Sequence, residues 1–276
     1  ATQVLIVYTS ITTTYPGAAT LNISGTDVTH GTAYAITAVA SANIDVTMMS
    51  STQALFLYKG TSGYCEVRTL NISGTNVSAG TLTVVVAAVE TCGAIAAISA
   101  TQAILTTNSS GVITSCYLAT VSGTNVSLGA SPAEVTMTGA LHVMCGINST
   151  QALLFASGHS VATPRFALLS LSGSTVAVSD HLDSIGFDGG VAADLAKISA
   201  TRVACIRNPT GSSTGHGKHA LQLLGVSESA LRTSHERVPL KNSRNDGNSN
   251  ATVAVLSETK LLVAYFDRST YLQARV

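Results

Sequence analysis

Thr69-Leu-Asn-Ile-Ser-Gly-Thr-Asn-Val-Ser-Ala-Gly80 has an earlier copy, Thr20-Leu-Asn-Ile-Ser-Gly-Thr-Asp-Val-Thr-His-Gly31, and a later one, Leu118-Ala-Thr-Val-Ser-Gly-Thr-Asn-Val-Ser-Leu-Gly129. A weaker copy runs from Leu168 to Ser179. The Ser-Gly pair that closes each apolar run stands at Ser24-Gly25, Ser73-Gly74, Ser122-Gly123 and Ser172-Gly173, with spacings of 49, 49 and 50 residues. One supersecondary element has been copied several times. A period near 50 built from short strands points to blades stacked around an axis, a β-propeller.

A second alignment runs through Thr2, Thr52, Thr101, Thr150, Thr201 and Thr259. Each threonine precedes a polar or basic residue and then an apolar run: Gln3–Tyr8, Gln53–Tyr58, Gln102–Thr107, Gln151–Ala156, Arg202–Arg207 and Lys260–Tyr265. Near-continuous apolar runs of this length read as strands buried on both faces. Before the later five stand Ile44–Met49, Ala94–Ile98, Leu141–Ile147, Val191–Ile198 and Thr252–Leu256, so each pair predicts a tight hairpin. A third strand ends at the Ser-Gly turn and a fourth begins after it, giving an antiparallel meander of four strands, a to d, per repeat. One such sheet cannot cover both of its own faces, and stacking on its neighbours solves that. No window shows a helical period.

The expected architecture is all-β, with a single propeller domain over residues 1–276. The repeat units fall at about 2–51, 52–100, 101–149, 150–200 and 201–258, with a partial unit at 259–276. Strand counting gives b, c and d at the start, four complete repeats, and a, b and c at the end, 22 strands in all. Six blades is the preferred reading, with three-stranded terminal blades or with strands contributed by a neighbouring chain, which would make the protein a subunit of a homo-oligomer.

Composition narrows the function. Only 10% of residues are charged, and 14 basic residues balance 14 acidic ones. Without a basic stripe to neutralise phosphates, nucleic acid is not a partner. Apolar runs such as Thr83–Val89 are far too short to span a bilayer, and no charged-then-apolar leader opens the chain. Of the 14 basic residues only Lys59 and Arg68 precede residue 150. Cys65, Cys92, Cys116, Cys145 and Cys205 lie in or beside expected strands with no CxxC spacing, and read as buried free thiols. No cofactor or metal motif is present.

Two composite stretches, Met49–Tyr58 and Leu256–Asp267 with Leu272–Val276, share the pattern Ser-x-Thr-x-x-Leu-x-x-Tyr, with Leu-x-Ile-Ser-Gly-Thr-x-Val-x-x-Gly following in the regular copies. The pattern resembles repeats in propeller-like segments of bacteriophage tail or fibre proteins and bacterial surface adhesins. The resemblance implies a virion or cell-surface location, a binding or structural role, and no catalytic motif. Asn208–Asn250 departs from the pattern. Sialidase-type propellers carry Ser-x-Asp-x-Gly-x-Thr-Trp turns, and a chain with no tryptophan is not one of them in the usual form.

Several residues stand out as candidate sites. Tyr8, Tyr58 and Tyr265 end strand b at equivalent positions, where other repeats place Thr107, Ala156 and Arg207. A partial aromatic ring on one rim can stack sugar faces while its hydroxyls stay wet, with rim or core packing as the plainer role. Asp45 and Asp194 share a position seven residues before the aligned threonine, on the inner strand a. Facing an axial channel within roughly 5–10 Å, such a pair would suit glycoside cleavage; otherwise each carboxylate holds backbone by hydrogen bonds. His216 and His219 lie in a Gly/Ser-rich loop from Asn208 to His219, a place where scaffolds often carry ligand contacts. The acids of Asp180–Gly190 read as a connecting turn. Asn-x-Ser/Thr sequons begin at Asn22, Asn71, Asn76, Asn108, Asn125, Asn148 and Asn250. In a eukaryotic secreted chain some would carry glycans, and in a bacterial or phage chain they are turn residues.

No nucleophile pairs with a base, so the leading reading is a non-enzymatic virion or cell-surface module. It would act as an adhesin that binds a host-surface glycan or protein receptor. A self-assembling extracellular subunit and a glycoside hydrolase using Asp45 and Asp194 are the alternatives.

Overall fold

A computed structural model of the chain describes residues 2–10, 15–24, 27–37, 42–60, 62–87, 91–108, 113–129, 132–136, 141–157, 165–183, 191–208, 220–227, 230–239, 252–266 and 272–275. The chain divides into two compact units, residues 1–110 with 115–132, and 111–114 with 133–276. Every described element is a strand. Among the described residues no helix is long and apolar enough to cross a membrane.

The first unit is built on three sheets. Sheet 1 places β1 (Thr2–Thr9), β2 (Pro16–Ser24) and β3 (Asp27–His30) in chain order, with β4 (Tyr34–Ala35) also on β2. Sheet 2 runs β5 (Ala42–Ser50), β6 (Gln53–Lys59), β7 (Cys65–Ser73) and β8 (Asn76–Ala79), with β9 (Thr83–Val86) also on β7. Sheet 3 runs β10 (Thr91–Ala97), β11 (Gln102–Asn108), β12 (Ile113–Ser122) and β13 (Asn125–Leu128).

In the second unit β14 (Ala133–Thr136) comes first. Sheet 4 follows with β15 (Leu141–Asn148), β16 (Gln151–Ser157), β17 (Arg165–Ser172) and β18 (Thr175–Asp183). Sheet 5 holds β19 (Val191–Ser199), β20 (Arg202–Asn208), β21 (Ala220–Val226) and β22 (Leu231–Pro239). Sheet 6 holds β23 (Thr252–Ser257), β24 (Lys260–Phe266) and β25 (Leu272–Arg275). All are antiparallel meanders, with b, c and d in sheet 1, a, b and c in sheet 6, and all four strands between.

The turns explain why the repeat could be read. Ser73 pairs with Asn76, leaving Gly74 and Thr75 as the loop, and φ at Gly74 is 56°. A positive φ at the first central residue alone is the pattern of a type II′ hairpin, which a glycine satisfies without strain. At the opposite end of strand b, the side chain preceding the aligned threonine by two residues caps the a–b turn. Ser50, Ser99 and Ser199 Oγ accept from the backbone N–H of Thr52, Thr101 and Thr201 at 3.2, 3.2 and 3.3 Å, and Asn148 Oδ1 accepts from that of Thr150 at 2.9 Å. The threonine carbonyl then receives a strand c amide, as in Ile72 N–H to Thr52 O at 2.8 Å and Val121 N–H to Thr101 O at 2.8 Å.

Strand d differs from the expectation. In the first three repeats it breaks into two pieces, β3 and β4, β8 and β9, β13 and β14, which brings the described strands to 25. The break falls at Gly31, Gly80 and Gly129. The fourth repeat has Ser179 there, whose Oγ donates to Leu168 O at 3.0 Å, and β18 runs through for nine residues. Gly80 is required by a close approach. A Cβ at that position would collide with Thr69 Oγ1 and with the Thr124 carbonyl of sheet 3, and Gly31 stands in the same relation to Thr20 Oγ1 and Thr75 O. Gly80→Ala is expected to lower unfolding free energy by about 1–3 kcal/mol in a urea melt. The control is Gly225→Ala, where a Cβ meets only Arg232, at 3.7 Å. Equal losses in the two variants would rule out the close approach as the cause.

Stacking buries strand b on both faces, as its sequence demands. In β6, Ala54, Phe56 and Tyr58 pack toward sheet 1 with Ala18 and Ile36, while Leu55 and Leu57 pack toward sheet 3 with Ala103 and Leu105. Phe155 and Phe166 of sheet 4 meet Leu195, Val203 and Cys205 of sheet 5, and Ala204 and Ile206 of sheet 5 meet Val253 and Val263 of sheet 6.

Polar side chains join successive sheets at backbone groups. Gln3 Nε2 donates to Gly74 O at 2.7 Å and Gln53 Nε2 to Gly123 O at 2.8 Å. Thr20 and Thr69 Oγ1 donate to Thr75 O and Thr124 O, both at 3.1 Å. The inner strands use Thr47 Oγ1, which accepts from Ala97 N–H at 3.0 Å.

Cys65 and Cys92 form a disulfide that ties β7 of sheet 2 to β10 of sheet 3. This corrects the reading of all five cysteines as free thiols. Burial was rightly inferred for the pair, but stacking brings together two residues 27 apart that no CxxC spacing connects. Cys116, Cys145 and Cys205 take no part in a disulfide. Desolvation pushes the Cys116 and Cys145 thiols up to about 12, which keeps them protonated and unreactive near neutral pH.

Candidate functional site

In each complete sheet the a–b and c–d turns lie at one end, and the b–c loop and the connection to the next sheet lie at the other. The turn end is uniform from repeat to repeat. The loop end is where the copies differ, and between sheets 1 and 2 it carries a charged and aromatic corner.

That corner rests on cross-strand pairs of β6 and β7: Phe56 opposite Arg68, and Tyr58 opposite Glu66. All four side chains share the face toward sheet 1, because alternate residues of a strand point the same way. Tyr58 stacks on Phe56, with centroids 5.0 Å apart and planes at 20°. The Arg68 guanidinium lies over the Tyr58 ring, 5.9 Å from its centroid, and Nη1 donates to the Ile36 carbonyl of sheet 1 at 3.2 Å. Arg68 Nε is enclosed without a hydrogen-bond partner, and the enclosed Tyr58 hydroxyl lies against Glu66 and Arg68. Burial raises the Tyr58 hydroxyl well above its ordinary value, with Glu66 adding and Arg68 opposing, so it remains a donor at working pH. An orphaned buried donor beside a carboxylate is a group that calls for an explanation, such as an occupant.

The candidates read from sequence are placed as follows. Tyr58 is 1% exposed, so it is a core residue rather than part of an open aromatic rim. Tyr8 is 36% exposed on the face of β1 away from sheet 2, and its ring covers Gly17. Arg207 and Tyr265 occupy the expected strand ends of β20 and β24, with side chains outside the described residues, where His216 and His219 also lie. Asp45 and Asp194 each follow a bulge in strand a, the first preceded by Asn43 in the left-handed region at φ 51°. Asp45 Oδ1 accepts from Val46 N–H and Oδ2 from Ile95 N–H of sheet 3, both at 2.8 Å. Asp194 does the same with Leu195 at 2.8 Å and Val253 of sheet 6 at 3.0 Å. Each carboxylate thus spends both oxygens on backbone, the hydrogen-bonding role weighed against acid–base chemistry. Asp180, expected in a connecting turn, lies instead in β18, which runs to Asp183, and likewise accepts from Leu231 N–H of sheet 5 at 2.8 Å; residues 184–190 lie outside the described residues. Among the described residues no three His, Cys, Asp or Glu side chains converge as a metal site.

No family model matches the chain, and no curated protein does. Solved structures do. A protein from Lactobacillus plantarum aligns at TM-score 0.62 and 12% identity, over 99% of this chain and 81% of that one. A fungal lectin from Aleuria aurantia, described as a six-bladed β-propeller with a novel fucose recognition mode, aligns at TM-score 0.58 and 10% identity, over 99% and 86%. The fold is a β-propeller. A third match, the SapL1 lectin in complex with α-methyl fucoside, aligns at TM-score 0.53 and 9% identity, over 95% and 85%.

Within the propeller, what repeats and what does not are separable. Gln, Thr and Gly at the turn end recur because they join blades. The position of Arg68, opposite Phe56, is filled by Ala19, Tyr117, Ala167 and Gln222 in blades 1, 3, 4 and 5 and by Arg275, opposite Val263, in blade 6. The sequence reading passed over it. The available signal was the scarcity of charge: Arg68 is one of two basic residues in the first 150. Blade 4 has a counterpart two positions earlier, where Arg165 Nη1 donates to the Thr136 carbonyl of β14 at 3.3 Å.

Proposed function

We propose that this propeller is a non-enzymatic, extracellular carbohydrate-binding module, acting as a virion or cell-surface adhesin toward a host glycan. The observation that carries the reading is the corner between blades 1 and 2, where Arg68 Nε is an unspent donor beside the Tyr58 ring and the Glu66 carboxylate. A donor and an acceptor against an aromatic ring are the chemistry that takes a sugar. Solved lectins of the same fold, with fucose named as the ligand of two of them, support the class of ligand. The blade-to-blade disulfide supports an oxidising, extracellular setting. Tyr8 offers a further exposed ring in blade 1, and Arg207, Tyr265, His216 and His219 extend the proposal to the loop ends of their own blades.

The test is a glycan array containing fucosylated, sialylated and galactosylated probes, followed by titration of the best one. Arg68→Ala is expected to weaken binding roughly 10- to 100-fold, the equivalent of about 1.5–3 kcal/mol for a charged hydrogen bond, while the melting curve keeps its shape. No binding to any probe, or full affinity in Arg68→Ala, would reject the reading.

A further inference from the structure

Asn76 and Asn125 are copies of one position, the first residues of β8 and β13, directly after the Ser-Gly-Thr turn. Both are exposed, as are Ser78 and Ser127 two residues on, while the intervening Val77 and Val126 are buried. Strand alternation thus turns the amide and the hydroxyl of each Asn-Val-Ser outward together and sends the valine into the core.

The other described sequon asparagines are committed. Asn22 Oδ1 accepts from Gln3 Nε2 and Asn71 Oδ1 from Gln53 Nε2, both at 2.9 Å, beneath the turn of the following blade that the same glutamines hold. Asn108 is 1% exposed. Asn148 Nδ2 donates to Gln151 Oε1 at 2.7 Å, and its Oδ1 accepts from Thr150. A second observation, independent of the sequons, points to the same setting. The Cys65–Cys92 disulfide joins blades 2 and 3, the two blades that carry the outward asparagines, and a stable disulfide belongs to the oxidising secretory compartments in which N-glycosylation takes place.

We infer that Asn76 and Asn125 are N-glycosylation sites, and that the fold leaves Asn22, Asn71, Asn108 and Asn148 unmodified. The donor is a polyprenyl-diphosphate-linked oligosaccharide. The bond from its anomeric carbon to the diphosphate oxygen breaks and a bond from that carbon to the asparagine Nδ2 forms. The electron pair leaves with the diphosphate, and the amide proton passes to a base. Sugars at these positions stand at the turn end of blades 2 and 3, and leave the loop end with Arg68 uncovered.

The experiment translates the full chain behind a cleavable leader into endoplasmic-reticulum microsomes, in an Asn250→Gln background. Glycans are counted by endoglycosidase-sensitive mobility and located by peptide mass spectrometry after release in heavy-oxygen water. The expected result is two glycans, one lost in Asn76→Gln, the other in Asn125→Gln, and both retained in Asn71→Gln. The Cys65–Cys92 linkage, read by non-reducing peptide mapping of the same sample, shows that the counted molecules are folded. Sugar on neither asparagine, or sugar on Asn71 or Asn108 of folded molecules, overturns the assignment. Sugar on one of the pair alone overturns it for the other.

Discussion

A Cys65→Ala/Cys92→Ala variant is expected to lose about 3.5 kcal/mol of unfolding free energy, the loop-closure value for a bridge across 27 residues. At a few degrees per kcal/mol, the melting temperature falls by roughly 5–10 °C. Alanine is the right replacement because both sulfurs are enclosed, Cys65 completely, and a serine hydroxyl would add a desolvation penalty of its own. The loss arises in blades 2 and 3, so hydrogen exchange should quicken first in β7 and β10. Titration of the unfolded wild type with a thiol reagent should count three free thiols before reduction and five after it. Five before reduction, or an unchanged melting temperature in the variant, would mean that the bridge is absent.

Phe155→Ala is expected to cost about 3–5 kcal/mol, the range for emptying a large aromatic site that cannot collapse. Phe155 is fully buried in β16, faces Phe166 across the strand pair with centroids 4.7 Å apart and planes at 59°, and fills the space between blades 4 and 5 with Leu195 and Val203. Its neighbours belong to a rigid sheet on each side, so little relaxation is available. Urea titration measures the loss, and Phe155→Leu should recover a large part of it. A loss under about 1 kcal/mol would mean that the two blades do not close over the ring. The affected core lies in the second unit and the disulfide in the first, so the two losses should add when the changes are combined.

The disulfide and Phe155 also mark where sequence reading reached its limit. Phe155 was placed correctly, in a strand buried on both faces, because the run from Gln151 to Ala156 leaves no polar face to turn toward water. The turns were equally legible: a Ser-Gly pair specifies a hairpin locally, and the a–b turn is capped by a side chain two residues away. The disulfide was not legible, because it depends on how one blade lies on the next. The same holds for Asp45, whose second oxygen finds Ile95, and for Tyr58, whose position suggested a rim until blade 1 covered it. A repeat announces what each copy does alone. Contacts between copies, offset by a whole period, leave no mark in the spacing. Strand d broke in two for a related reason: the glycine that interrupts it exists to admit the carbonyl of the next blade.

The hydrogen bonds between blades have a direction. Among the described residues, Gln3, Thr20, Asp45, Thr47, Gln53, Thr69, Thr83, Asp180 and Asp194 each reach forward from one blade to a main-chain group of the following one, while Arg68 reaches back. A bond received by the main chain is indifferent to which residue occupies the receiving position. A blade can therefore change nearly all of its sequence without releasing its predecessor, as the second half of this chain has done, and a newly duplicated blade is accepted by whichever blade precedes it. Such a design lets an array lengthen, shorten or drift one module at a time while its joints stay intact.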